Sequence, residues 1–373
     1  MRLANIVNLG IKELRSLGRD RVMLALIVYA FTGAIYTAAT AMPETLNKAS
    51  IAIVDEDRSA LSMRLITAFY PPHFNPPTLI TAAEMDARMD NGSITFALGI
   101  PPNFQRDVLA GRKPDIQLNV DATRVSQAFT GAGYIQTIVA TEVAAFLQHY
   151  RAATVLPVDL ALRIRYNPTL NKSWFGAVIE VINQVTLLSI VLTGAALIRE
   201  REHGTIEHLL VMPVTPFEIM AGKIWAMAVV VMAAWTAALV LVVQGLLGVP
   251  VQGSLALLLV GVAANLFATT SLGIVLATLA RSMPQFALLV ILVIVPLEML
   301  SGGMTPRESM PAIVQTIMLA APTTHFIMLS QAVLFRGAGL AVVWPQLLAL
   351  IAIGGVLFGI ALTQFRKTIG EMA

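Results

Sequence analysis

Carboxylates and carboxamides set inside apolar runs are the residues here with the most chemistry to offer. Glu180, Asn183 and Gln184 lie in the run 174–198, Asn265 in the run 254–280, and Glu298 ends the run 285–300. A polar group in hydrocarbon is expensive, so each must face a neighbouring helix or a water-filled space. Glu180, Asn183, Gln184 and Leu187 recur at 3–4 residue spacing and share one helical face. That stripe reads as the lining of a solute path or a dimer face, and equally as amides that bridge helices as packing glue. Glu180 and Glu298 fall near the ends of their runs, where hydration makes a carboxylate cheap, which weakens a proton-relay reading.

A second concentration of chemistry is Arg199 to Phe217, reading REREHGTIEHLLVMPVTPF between two apolar runs. Ile206, Leu209, Leu210 and Val214 recur at 3–4 residue spacing, while Glu200, Arg201, Glu202, Glu207 and His208 fill most of the remainder. The pattern predicts a short amphipathic helix at a membrane surface. Pro213 and Pro216 then break it and return the chain to the bilayer. A charged helix clamped between two spans is a lever, and the alternative is an ordinary charged interfacial loop.

Other chemistries find no support. The sequence has no G-x-x-x-x-G-K-[ST], and Gly222-Lys223 lacks both the upstream glycine and the following hydroxyl residue, so no P-loop is expected. His73 and His149 are isolated, whereas metal ligands come in sets. Cysteine is absent, which excludes disulfides and thiolate ligands. The net charge of +3 comes without a basic face interleaved with aromatics, so nucleic acid is not an expected partner.

These residues need a membrane around them. The 373 residues are 57% hydrophobic and 13% charged, about half the charge of an ordinary soluble domain. Residues 43–172 nevertheless hold 12 of the 25 Lys+Arg and 12 of the 22 Asp+Glu. A soluble-looking domain is therefore inserted after the first span. Apolar runs near 22–42, 175–198, 219–246, 254–280, 285–300 and 341–363 predict six spans. The run 22–42 ends in Ala39-Thr40-Ala41 and reads as an uncleaved signal anchor, a cleaved signal peptide being the alternative.

Residues 1–21 carry Arg2, Lys12, Arg15, Arg19 and Arg21 opposite Ile6, Leu9, Leu14 and Leu17, which predicts an amphipathic helix lying on the membrane. Arg199, Arg201, Arg281, Arg366 and Lys367 fall at the same face, and only Arg307 and Arg336 lie on short segments of the other. That asymmetry places both termini in the cytoplasm and residues 43–172 outside.

Within the inserted domain, strands are expected at Ile51–Val54, Ile94–Ile100, Asp115–Val120 and Leu162–Tyr166. Helices are expected from Ser59 to about Phe69, from Thr81 to Asn91, from Asn103 to Ala110, and over Val125–Tyr150. The segment from about 305 to 336 is apolar but interrupted by Pro311 and Pro322. It predicts two short re-entrant helices with Pro322-Thr-Thr-His325 between them; a seventh full span is the alternative.

Glu202-x-Gly204-Thr205-x-Glu207-x-Leu209-x-x-x-Pro213 resembles the coupling segment of ABC-2 type transporter permeases. The openings Asn8–Arg15, Ile100–Gly111 and Ser301–Pro311 are similar to members of the same family. The resemblance implies an ABC-2 exporter fold, a polytopic α-helical protein of the cell inner membrane with six transmembrane helices and an α/β periplasmic domain between the first two. It implies that residues 1–21 form the connecting helix and 199–217 the coupling helix. Glu200, Arg201, Glu202, Gly204, Thr205, Glu207, Leu209, Leu210 and Pro213 would then meet an ATP-binding subunit. That partner would hold the ATP and Mg, leaving this chain a permease with no cofactor and no catalytic site. A second permease protomer, a periplasmic membrane-fusion adaptor and export of amphiphilic, drug-like or lipid-like molecules are further implications. Glu180, Asn183, Gln184, Asn265 and Glu298 are the candidate substrate path. An ion-coupled secondary exporter and a non-transporting periplasmic sensor are the competing classes.

Overall fold

The computed structural model describes residues 2–40, 48–121, 125–150, 172–202, 204, 213–305 and 307–370. The chain divides into two compact units, one of Met1–Met42 with Ile164–Ala373 and one of Pro43–Arg163.

The helical unit begins with α1, Leu3–Arg19, and turns at Asp20 into α2, Arg21–Thr40. Asp20 ends one helix and caps the next, its carboxylate accepting from the backbone N–H of Val22 and Met23 at 3.2 and 3.1 Å. α2 carries a π-helical stretch over Ala30–Ala34.

The second unit is a small α/β fold. Its elements are β1 (Ile51–Asp55), α3 (Ala60–Ala68), β2 (Thr78–Leu79), α4 (Ala82–Asp90), β3 (Phe96–Ile100), α5 (Phe104–Leu109), β4 (Gln117–Val120) and α6 (Val125–Tyr150). The sheet order is β2-β1-β3-β4, with β1 parallel to β2 and β3 and β4 antiparallel. Alternation along β1 explains the layering. Ile51 and Ile53 join Leu65, Phe69, Phe96 and Phe104 under α3, α5 and α6, while Ala52 and Val54 pack with Met85 under α4. Ser59 caps α3 in a reciprocal pair with Ser62. The expected elements from Ile51 to Tyr150 are present, together with the two-residue edge strand β2, which the proline-rich stretch before it hid. The strand expected at Leu162–Tyr166 lies outside the described residues.

The helical unit resumes with α7 (Lys172–Glu202), α8 (Pro216–Leu246, π-helical from Ala238), α9 (Leu255–Leu279) and α10 (Met283–Leu300). α11 (Ala312–Ala320), α12 (Pro322–Leu334) and α13 (Leu340–Gly370) follow. Six of these helices, α2, α7, α8, α9, α10 and α13, are long and apolar enough to cross a bilayer. The chain is a polytopic helical membrane protein. α7 is the axis of the unit, with 89% of its apolar stretch buried, against 17% for α10. Close approach rests on small residues. A Cβ at Gly273 of α9 would stand 2.7 Å from the Ile190 carbonyl of α7, and one at Gly194 of α7 would stand 2.2 Å from the Phe286 ring.

α11 and α12 meet at 93°. The break falls at Ala321, one residue earlier than the sequence suggested, and Pro322-Thr-Thr-His325 forms the first turn of α12 instead of a linker. Proline at the first helical position explains this, since its missing N–H costs nothing there.

Candidate functional site

At one end of the helical unit α1 is fastened to the first turns of α8. Thr215 and Glu218 cap α8 reciprocally, with Pro216 at its first position. Glu218 also accepts from the Arg2 N–H at 2.6 Å and from Asn5 Nδ2 at 3.4 Å. Trp225 Nε1 donates to the Ile6 carbonyl at 3.0 Å, and its ring lies over Gly10, where a Cβ would come within 2.1 Å. A Cβ at Gly222 of α8 would stand 3.3 Å from the Ile6 carbonyl oxygen. The inward face of α1 thus includes Gly10 and the buried Glu13 besides the expected Ile6, Leu9, Leu14 and Leu17.

A buried charge cluster lies beneath this contact. Lys223 Nζ, on an almost wholly buried side chain of α8, is 2.8 Å from Glu13 Oε1 of α1 and 2.7 Å from Glu200 Oε2 of α7. Lys12 closes the set at 2.5 Å from Glu200 Oε1. Two cations and two carboxylates balance, which is the condition under which buried charge is tolerated. Arg199 pairs with Asp20 at 2.7 Å. The Asp20 carboxyl is held below its usual range, first by the Met23 N–H and then, against partial desolvation, by Arg199.

The charges at the end of α7 each make a contact within the helical unit. Glu200 is buried in the cluster, where it meets the charge of Lys223, set within a span. Arg201 is half-buried and donates to the carbonyls of Ala280 and Ala277, capping the end of α9. Glu202 is exposed and accepts from the Met283 N–H at 2.8 Å at the start of α10. Gly204 takes a left-handed conformation, φ +66°, as the chain leaves α7. Pro213 is exposed. Thr205, Glu207, Leu209 and Leu210 lie outside the described residues.

The opposite end of the unit holds a cavity of about 1370 Å³ between α2, α7, the broken pair α11–α12 and α13. Glu180 and Asn183 line it. Gln184 does not; its amide donates to Glu180 Oε1 at 2.5 Å. Glu298 is half-buried within electrostatic reach of Glu180 and is not part of the wall. Asn265 is fully buried elsewhere in α9, with neither amide atom hydrogen-bonded. The structure therefore brings Glu180, Asn183, Gln184 and Glu298 into one neighbourhood and leaves Asn265 apart.

Sequence reasoning passed over the cations of both sites. Lys223 was legible as a lysine two turns inside an apolar run, and Glu13 as an acid on the apolar face of α1. The cavity wall also takes Arg307, Gln315, Gln331, Arg336 and Gln346, polar residues scattered through an otherwise apolar broken segment and the start of α13.

The family model described as ABC-2 family transporter protein matches residues 22–363. The chain belongs to the ABC-2 transporter family. It is 63% identical to the inner membrane transport permease YhhJ of Escherichia coli K12, over all of this chain and 99% of that one. It is 27% identical to the probable multidrug ABC transporter permease YbhR of the same organism, over 96% of this chain and 97% of YbhR. The probable multidrug ABC transporter permease YbhS is 25% identical, with 96% of each chain covered. As an ABC-2 permease the chain is a multi-pass membrane transport subunit, and the charge cluster and the cavity are features of a transporter.

Proposed function

We propose that this chain is the permease of an ATP-driven exporter of the inner membrane, powered by a separate ATP-binding subunit and moving amphiphilic, drug-like or lipid-like molecules outward. The observation that carries the reading is the Lys12–Glu13–Glu200–Lys223 cluster, which makes α1, the end of α7 and the start of α8 one body. The segment between α7 and α8 carries the E-x-G-T-x-E pattern, so force on it reaches both spans together. A relative named an inner membrane transport permease and two named probable multidrug permeases support the compartment and the substrate class.

In this mechanism nucleotide binding closes two ATP-binding subunits against the segment around Glu202 to Leu210. α7 and α8 rotate against a second protomer, of the same or a related chain. The cavity at the far end opens outward, past α11 and α12. The α/β unit lies in the periplasm and passes substrate onward, with a membrane-fusion adaptor as its docking partner. Glu202 and Glu207 pair with basic groups of the ATPase, while Leu209 and Leu210 fill its groove. ATP and Mg stay on that partner.

Uptake into inside-out vesicles, which corresponds to export from the cell, tests this. It requires hydrolysable ATP and persists when ion gradients are collapsed. Glu180 and Glu298, two carboxylates within mutual electrostatic reach, are the feature that favours an ion-coupled exporter instead. Loss of export in Glu180→Gln and Glu298→Gln, with gradient dependence and indifference to ATP, would establish that second reading.

A further inference from the structure

The cavity at the end of the unit remote from Lys223 carries more chemistry than the exporter reading uses. At about 1370 Å³ it exceeds the 300–1,000 Å³ usual for drug-sized ligands. Phe175, Ile179, Ile327 and Val343 give it apolar walls. Its polar wall is unusual in what it leaves unmet. Arg307 is half-buried, with Nη1 against the Met328 thioether at 3.1 Å and Nη2 donating to the Gln315 carbonyl at 3.2 Å. Its Nε is buried and finds no acceptor. Among the described residues no carboxylate lies within ion-pair distance of either Arg307 or Arg336, the other cation of the wall.

A guanidinium half out of water, holding only a thioether and a carbonyl, lacks the anionic acceptor that would satisfy it. Gln346 adds the complement, an amide oxygen buried in the same wall without a donor. Arg307 and Gln346, both residues of the wall, thus each keep one polar atom without a partner, a donor on a cation and an acceptor. Two acids also line the cavity, and they bound the charge of an occupant. Glu180 is engaged by Gln184, and Glu308 is exposed. Repulsion from these carboxylates favours a head of single negative charge over a multiply charged one.

We propose that this cavity binds a membrane amphiphile with a singly charged phosphodiester head bearing a hydroxyl, the phosphodiester held by Arg307 and Arg336 and the hydroxyl by Gln346. The acyl chain lies along the apolar wall between α2, α7 and α13. This deepens the exporter reading and rests on it only in calling the bound molecule cargo.

The test uses the full chain in nanodiscs of phosphatidylcholine, with radiolabelled myristoyl lysophosphatidylglycerol as the probe. Saturable binding is expected, competed by unlabelled probe and not by myristoyl lysophosphatidylcholine, which has the same chain and a neutral head. Arg307→Gln weakens binding at least tenfold, Arg307→Lys restores part of it, and Arg106→Gln in the α/β unit leaves it unchanged. Thermal melting of each variant reports folding. If Arg307→Gln does not fold, the exposed Arg336→Gln decides, with the same loss expected. Equal competition by the neutral lysolipid overturns the proposal. Competition by glycerophosphoglycerol at equal concentration also overturns it, leaving a plain anion site that needs no acyl chain. Unchanged binding in folded Arg307→Gln and Arg336→Gln places the lipid elsewhere and overturns it too. Binding is read without ATP, so a negative result removes this site and leaves ATP-driven export standing. An export assay that fails to need ATP leaves the site standing.

Discussion

Lys223 Nζ lies 2.7 Å from Glu200 Oε2, joining the beginning of one span to the end of another through a pair shut away from water. Glu13 approaches the same ammonium from α1, so three elements depend on one lysine. A lysine within an apolar helix is tolerated because its countercharges arrive from outside that helix.

Removing that lysine leaves Glu13 and Glu200 with Lys12 alone between them, one negative charge in excess. Lys223→Met is expected to destabilise the helical unit by about 3–5 kcal/mol, the usual cost of breaking a buried pair from one side. Adding Glu13→Gln and Glu200→Gln to Lys223→Met should recover most of the loss, because uncompensated charge, more than lost attraction, is the penalty. Thermal melting in detergent compares the single and triple variants. A triple variant no more stable than the single one would contradict the charge account.

The α1–α8 contact depends on two glycines. A Cβ at Gly10 meets the Trp225 ring at 2.1 Å, and one at Gly222 meets Leu9 Cβ at 2.9 Å. Gly10→Ala should displace the indole, break its bond to the Ile6 carbonyl and cost about 1–3 kcal/mol as overpacking. Trp225→Phe in the same background makes room and should return part of the stability. Limited proteolysis near residue 20, faster in Gly10→Ala and slowed again in the double variant, reports the displacement.

Asp20 gives a pH dependence whose sign follows from its depressed carboxyl. The folded value lies below that of the unfolded chain, about 3.9, so the ionised form stabilises. That contribution is fully present above the unfolded value and disappears as pH falls through the folded one. Asp20→Ala should cost about 1 kcal/mol at neutral pH, as loss of a helix cap, and almost nothing at the acid end. Chemical denaturation at neutral pH and at steps downward through the carboxylate range follows the loss, with the difference between wild type and Asp20→Ala shrinking as pH falls below the unfolded value.

Orientation can be read cleanly because the chain has no cysteine of its own. Met63→Cys, on an exposed position of α3, should react with an impermeant maleimide in spheroplasts. Arg15→Cys on α1 should react only after the membrane is opened. Labelling of Arg15→Cys in intact spheroplasts would reverse the proposed topology.

The elements that satisfy themselves locally were the legible ones. Ser59 and Ser62 cap α3 from within four residues, and the continuous apolar run Ile51 to Val54, closed by Asp55, announces β1 on its own. Spans were legible because apolar length is a local property. The two sites were less so, since their chemistry is pairwise and distant. Glu200 read as an outward-facing charge beside Arg201 and Glu202, and nothing near it in sequence pointed to Lys223, 23 residues on, or Glu13, 187 before. Arg307 read as a topology marker and became a cavity wall only when α12 folded back so that Met328 met it. Asn265 was singled out correctly as a buried amide, but burial did not bring it to the cavity.

The central claim is that this permease takes its energy from a separate ATPase through the segment joining α7 and α8. The most direct measurement is purification of the tagged chain from its native membrane in mild detergent, with ATPase activity assayed on the eluate. The account predicts a co-purifying nucleotide-binding subunit whose activity falls when the chain carries Glu207→Lys, while the helical unit melts as before. An eluate free of ATPase, from a chain that still drives export in vesicles without ATP, would contradict it.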